Sequence, residues 1–176
     1  MKVEVVEYNK QWPILFISEA QNIERILGDE LLDIYHIGST AVENLKAKPI
    51  IDIMPVVKDI TKIDKYNNEF VNIGYEVMGE YGITGRRFFR KGPEIRTHHI
   101  HVFGESNLKD IERHLAVRDY LRTHPEDAFE YGQLKSKLAE LYPFDIEAYV
   151  NGKDIYVKEL EKKALEWCRV ELDKEQ

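Results

Sequence analysis

The sequence predicts an α/β (α+β) fold: a mixed sheet with flanking helices, completed by a helical C-terminal part. Three observations point there. Segments with strand-like alternation and buried apolar runs mix with helical patterns over the first hundred residues. After Ser106 the apolar spacing is helical throughout. No repeat, low-complexity tract or linker divides the chain, which argues for one domain over residues 1–176 with all elements around one α/β core.

Each element has its own local warrant. Residues 3–7 read as a short strand or extended arm. Over residues 13–27, Ile14, Phe16, Ile17, Ala20, Ile23, Ile26 and Leu27 recur at helical spacing. Pro13 suits a first-turn position, where its missing N–H costs nothing, and Gly28 ends the run. Residues 31–37 and 50–57 are strands joined through a Gly-Ser turn and a short connecting segment. Residues 60–73 repeat a helical pattern that stops at Gly74. Strands follow at 75–78, 86–90 and 96–103, separated by glycine-containing turns. Helices are expected at 108–123, 125–141 and 157–172.

Composition limits the function. With 43% hydrophobic and 32% charged residues in 176, the chain is ordinary for a globular protein with a sizeable core. A net charge of −7 argues against general nucleic-acid binding, which draws on an excess of Lys and Arg along the contact face. A local basic site remains compatible with it. The single cysteine, Cys168, cannot close an internal disulfide and reads as a small, partly buried residue in a reducing compartment. No apolar signal core opens the sequence and no segment approaches the length of a membrane span, so the expected location is cytoplasmic.

The most informative stretch is HIGSTAVENLKAKPIIDIMPVV, from His36 to Val57. Gly38 lets the backbone turn without a Cβ clash, and Ser39 leaves amides and a hydroxyl near the turn that suit a phosphate. Asp52 sits in an apolar run, where a charge is costly unless a metal or a cationic group compensates it. A structural alternative pairs Asp52 with Lys48 or an arginine. The combination of a Gly-Ser turn and a strand-borne acid resembles the nucleotidyltransferase superfamily.

Further segments narrow that resemblance. VVEYNKQWPILF, HIGSTAV, AKPIIDI, GYEVMGEYGITGRRFFRKG, THHIHVF, HLAVRDYLRTHPEDAFEYGQLKSKLA and YVKELEKKALEW together resemble the GrpB family over nearly the whole chain. The resemblance implies a nucleotidyltransferase-like fold, a catalytic role for Asp52, and a nucleotide or other phosphate-bearing small molecule as ligand. It also exposes a departure. Active nucleotidyltransferases usually carry a second acid two residues after the first, and here that position is Met54.

A substitute for the missing ligand lies in THHIHVF. Strand alternation puts His99 and His101 on one face, about 6.5 to 7 Å apart along the strand, with His98 on the other. Two such imidazoles with Asp52 on a neighbouring strand can hold a divalent cation, Mg²⁺ or Mn²⁺, and Glu80 is a further candidate ligand. Candidate phosphate contacts are Gly38, Ser39, Thr40, Lys48, Arg87, Arg118, Arg122 and Lys135. His114, Arg118 and Arg122 form one helical stripe, and an arginine's planar fork can bind two phosphate oxygens at once. Arg118 and Arg122 are favoured mainly because RDYLR resembles the family motif. The aromatics read as core.

Three functions compete. The first is a metal-dependent nucleotidyl or phosphoryl transferase. The second, favoured by Met54, is a non-catalytic nucleotide- or phosphate-binding module on the same fold. The third comes from His99, His101 and Glu105, which resemble the first half of a cupin metal motif. It lacks the glycine expected where Glu112 stands, and no second motif follows in a later strand.

Overall fold

The computed structural model describes residues 2–175 and divides into two compact units. The sheet unit comprises Lys10–Ile37 and Ile50–Asp110. The helical unit comprises the N-terminal residues through Asn9, Gly38–Pro49 and the chain from Ile111 onward.

In the sheet unit, β1 (Leu31–Ile37), β2 (Ile51–Val57), β3 (Tyr75–Val77), β4 (Arg86–Lys91) and β5 (His98–Gly104) form one mixed sheet in the order β1-β2-β5-β4-β3. Only β2 and β5 run parallel. β2 is an interior strand, flanked by β1 and β5, and is buried along most of its length, which explains its near-continuous apolar run. Helices α1 (Trp12–Leu27) and α2 (Asn67–Asn72) cover one face. Phe16 stacks on His36 there, Phe70 stacks on Phe89, and Glu19 meets His98. Ile53, Ile100 and Val102 are fully buried in this unit. The other face carries Asp52, His99 and His101, by the two-residue alternation of the strands.

In the helical unit, α3 (Leu108–Thr123, of which the part from Ile111 belongs here), α4 (Pro125–Leu141) and α5 (Ile146–Glu175) share a core. It contains Val42, Leu45, Ala116, Leu121, Tyr131, Leu160 and Ala164. The N-terminal arm pairs with the Gly38–Pro49 segment through a bridge between Val6 and Ala47.

Two elements differ from the sequence expectation. The stretch expected as one helix at 60–73 is a 3-10 segment, Ile60–Tyr66, followed by the short α2. Asp59 accepts from both the amide and the hydroxyl of Thr61 and starts a tight turn; amphipathic spacing alone does not separate i+3 from i+4 closure. Helix α5 begins at Ile146, well before the expected 157. Asp145 caps it by accepting from the Ala148 amide at 3.0 Å. Gly152 lies inside this helix, where α5 packs closely on α4: a Cβ there would lie 2.5 Å from Leu138 Cδ2, so Leu138 would have to shift. No helix among the described residues is long and apolar enough to cross a membrane.

Candidate functional site

Register brings the first cluster together. Asp52 on β2 is the direct partner of His99 on the parallel strand β5. The register is the same on either side of Pro55, pairing Ile53 with Ile100 and Val56 with Phe103. It therefore sets His101 level with Met54, so an imidazole from the neighbouring strand stands beside the place where the second acid is missing. His101 Nε2 lies 2.9 Å from Asp52 Oδ1, and His99 Nδ1 lies 3.6 Å from the same oxygen. One donor atom from each of the three residues lies within 4.8 Å of the others, and this is the one such His/Cys/Asp/Glu group among the described residues.

The side chains are only partly exposed, 26% for Asp52, 25% for His99 and 13% for His101. Burial alone would push the Asp52 carboxyl up. Hydrogen bonds and charge from His101 and His99 outweigh that and hold it well below the usual carboxylate range. Burial pushes His101 down, and the opposing pull of Asp52 does not restore it. Asp52 is thus ionised and His101 neutral at neutral pH.

Strand β4 supplies the surroundings. Phe88 is the register partner of His101, and its ring lies 5.3 Å from that of His99 and 5.2 Å from that of His101. Arg86 is buried on the same face, its guanidinium 4.7 Å from the centre of the Phe88 ring. Its Nη2 donates to the Tyr81 carbonyl at 2.8 Å, its Nε to the Glu80 carbonyl at 3.2 Å, and its Nη1 faces His101 Nδ1 at 3.3 Å.

Several expected residues stand elsewhere. Arg87, named from the sequence as a phosphate contact, alternates to the opposite face and forms a two-pronged pair with Asp64. Arg86 is the arginine beside the cluster. The sequence shows that the two point apart, but not which one faces the histidines, because that depends on the β4–β5 register. Glu80 lies outside the donor group; its carboxylate accepts from the Gly85 amide and closes the turn before β4. His98 turns toward Glu19 and Lys91 on the helix-covered face. In the helical unit, Lys48 places its ammonium 5.2 Å from the centre of the Tyr149 ring.

The second cluster lies wholly in the helical unit. Gly38 adopts φ +73°, a conformation costly to residues with a Cβ, and starts the 3-10 turn Ser39–Ala41. Lys135 on α4 is only 2% exposed; its Nζ donates to Ser39 Oγ at 2.7 Å and sits 4.3 Å from the centre of the Tyr131 ring. Arg122 Nε donates to the Ala41 carbonyl at 2.9 Å, and its pKa is lowered by burial and by the charge of Arg118. Arg118 Nε pairs with Asp119 at 2.8 Å. Thr40 is buried in the turn. The Ser-Lys pair joins positions 96 apart in sequence, so nothing local in either segment shows that these two candidates meet.

Known proteins match both the chain and its fold. The family model for GrpB protein matches residues 2–163. The UPF0157 protein YqkA of Bacillus subtilis is 43% identical over 166 residues, which cover 94% of this chain and 48% of that protein, so the chain spans about half of its length. The glutamate-rich protein GrpB of Alkalihalophilus pseudofirmus is 36% identical over 164 residues, 90% of this chain and 94% of that one. The crystal structure of conserved protein GrpB from Enterococcus faecalis superposes with a TM-score of 0.91 at 48% identity, covering 93% of this chain and 98% of that chain. Cid1, solved in complex with its short product ApU, shares the nucleotidyltransferase fold with a TM-score of 0.51 at 11% identity, over 74% of this chain and 42% of that chain.

Proposed function

The chain belongs to the GrpB family, and on that footing we propose that it is a metal-dependent transferase moving a nucleotidyl or phosphoryl group to an acceptor. The observation that carries this reading is the convergence of Asp52, His99 and His101 on one partly desolvated face. The residues fit a cation. Asp52 is anionic, two ring nitrogens approach the same oxygen, and three protein donors leave further positions open to substrate. Mg²⁺ or Mn²⁺ is the ion that the nucleotidyltransferase-like fold implies. Bound there, it would neutralise phosphate charge and orient the reacting oxygens. The protein's own part is to keep Asp52 ionised and to exclude bulk water with Phe88.

In the helical unit, Lys135 and the Ser39 hydroxyl supply the donors suited to a phosphate group. A nearly buried ammonium is a strong phosphate partner because little water competes for it. Support for a nucleotide comes from the shared fold with Cid1, whose own structure holds the dinucleotide product ApU.

Fully buried Met54, where the resemblance calls for a second acid, favours a second reading. In it the protein binds a nucleotide or phosphate ligand without turning it over, in regulation or assembly. One experiment separates the two. Nucleoside triphosphates with divalent metal should raise the melting temperature by about 5 to 10 °C at 100 times the dissociation constant. A labelled nucleotide should then yield pyrophosphate or a modified acceptor if the protein is a transferase. Binding without any product supports the binding module, and no shift with any nucleotide and metal removes both.

A further inference from the structure

We propose that the Asp52–His99–His101 site selects a transition-metal ion of the Zn²⁺, Co²⁺, Ni²⁺ or Fe²⁺ class over Mg²⁺. This rests on the reading of the triad as a metal site and replaces the ion that the fold implies with one matched to the donors. Two of the three donors are imidazole nitrogens. Imidazole suits borderline transition metals, whereas Mg²⁺ favours an octahedron of oxygens and gives up its water reluctantly. An all-carboxylate pair on β2 would suit Mg²⁺. Here the second position of that pair is Met54, and the added donors come from β5 as histidines.

Geometry agrees with the donor chemistry. Ligand atoms about 2.1 Å from one ion lie about 3.0 Å apart at octahedral angles and about 3.4 Å apart at tetrahedral ones. The two donor separations onto Asp52 Oδ1, 2.9 and 3.6 Å, bracket those values. The donors are borne on two directly paired strands, so little rearrangement is needed to close on an ion. The partial burial of all three favours an ion that exchanges water ligands for nitrogen readily.

Arg86 sharpens the selection. Its positive charge lies next to the site, and its Nη1 faces the second nitrogen of His101. An ion that enters must outweigh a cationic neighbour and break the 3.3 Å contact, because coordination through Nε2 leaves the ring proton on Nδ1, opposite a group that only donates. Mg²⁺ gains too little from imidazole to do so.

The test uses the full-length protein, stripped of metal by a chelator and titrated separately with Zn²⁺, Co²⁺, Mn²⁺ and Mg²⁺ by calorimetry. Co²⁺ is also followed through its visible ligand-field absorption. The expected result is one site with Zn²⁺ and Co²⁺ bound about tenfold or more tighter than Mg²⁺. His99→Gln and Asp52→Asn, each checked for folding by circular dichroism, should weaken Zn²⁺ binding and alter the Co²⁺ spectrum. Magnesium binding as tightly as zinc at this site overturns the selectivity and leaves the metal site intact. Failure of every ion to bind removes the metal site itself. Zinc affinity unchanged in both variants places the ion on other residues and also overturns the proposal.

Discussion

The imidazole of His101 hydrogen-bonds the carboxylate of Asp52 at 2.9 Å, although the two residues are 49 positions apart. Arginine nitrogens only donate, so the Arg86 contact assigns the acceptor role to His101 Nδ1 and leaves the ring proton on Nε2, directed at Asp52. The resting chain of bonds runs from guanidinium to imidazole to carboxylate. A metal bound through Nε2, as proposed, would have to displace that proton.

Asp52→Asn tests the acid directly. Asn keeps an oxygen that accepts from His101 Nε2, so the apo fold should survive, at a cost of about 1 kcal/mol as a charge-assisted bond becomes a neutral one. Metal affinity should collapse at the same time. Urea unfolding and metal titration on one preparation read both effects. A stability loss of about 3 to 5 kcal/mol with unaltered metal binding would show that Asp52 balances a buried cation instead.

Arg86→Met should move metal affinity the other way. Removing the guanidinium relieves the repulsion and frees His101 Nδ1 to carry its proton toward solvent or a carbonyl. Zinc should bind about tenfold more tightly, the scale on which partners of metal ligands act. The variant should also lose some stability, because the Tyr81 carbonyl loses the Arg86 donor and the Glu80 carbonyl keeps only the Ile83 amide. Weaker zinc binding would mean that Arg86 supports the site rather than opposing it.

What the sequence showed and withheld follows from the range of each interaction. Strand alternation was enough to separate His99 and His101 from His98, and the apolar run around Asp52 marked β2. The pairing of β2 with β5 is long-range, and so is the β4–β5 register that selects Arg86 over Arg87. Alternation gives two faces for each strand but no means of matching faces between strands. Lys135 shows the same limit: the sequence marks it as a basic residue on a helix, but its contact with Ser39 needs the packed helical unit. The early start of α5 was open to local reading, since Asp145 is a capping residue type and accepts from the Ala148 amide at the head of the helix.

Lys135→Met examines the second cluster. The methionine matches the volume of the lysine stem, and removing an ammonium that is costly to bury offsets part of the loss of its bond to Ser39 Oγ. The thermal midpoint of the unliganded protein should therefore fall by a few degrees at most, roughly 2 to 4 °C per kcal/mol lost. Stabilisation by nucleotide or inorganic phosphate should fall by about 1.5 to 3 kcal/mol, the value of one hydrogen bond to a charged group. A variant that unfolds, accompanied by a Lys135→Arg variant that folds and binds phosphate normally, would assign Lys135 a packing role. Ser39→Ala should reproduce part of the binding loss without a change in net charge.

Stability should fall as the pH drops below neutrality. His98 is pushed below its ordinary 6.5 by burial, with Glu19 opposing and Lys91 and His99 adding to the shift. His101 is pushed down by burial as well, against the pull of Asp52. In both cases the unfolded chain takes up a proton at a higher pH than the folded one. The unfolded state therefore binds more protons below about pH 6.5, and stability rises with pH through that window. Asp52 adds a second loss: its folded pKa lies below 3.8, so its contribution is whole above that value and disappears as the pH falls further. The midpoint of urea unfolding should be flat from pH 8 to 7, decline between 6.5 and 5, and drop again below 4. His98→Gln combined with His101→Gln should flatten the first decline and shrink the second, because His101 is the strongest of the groups that hold the Asp52 carboxyl low. A wild-type midpoint that stays level or rises between pH 7 and 5 would mean that the folded protein carries His101 protonated. In that state Nδ1 cannot accept from Arg86, and the assignment of the resting proton to Nε2 alone would fail.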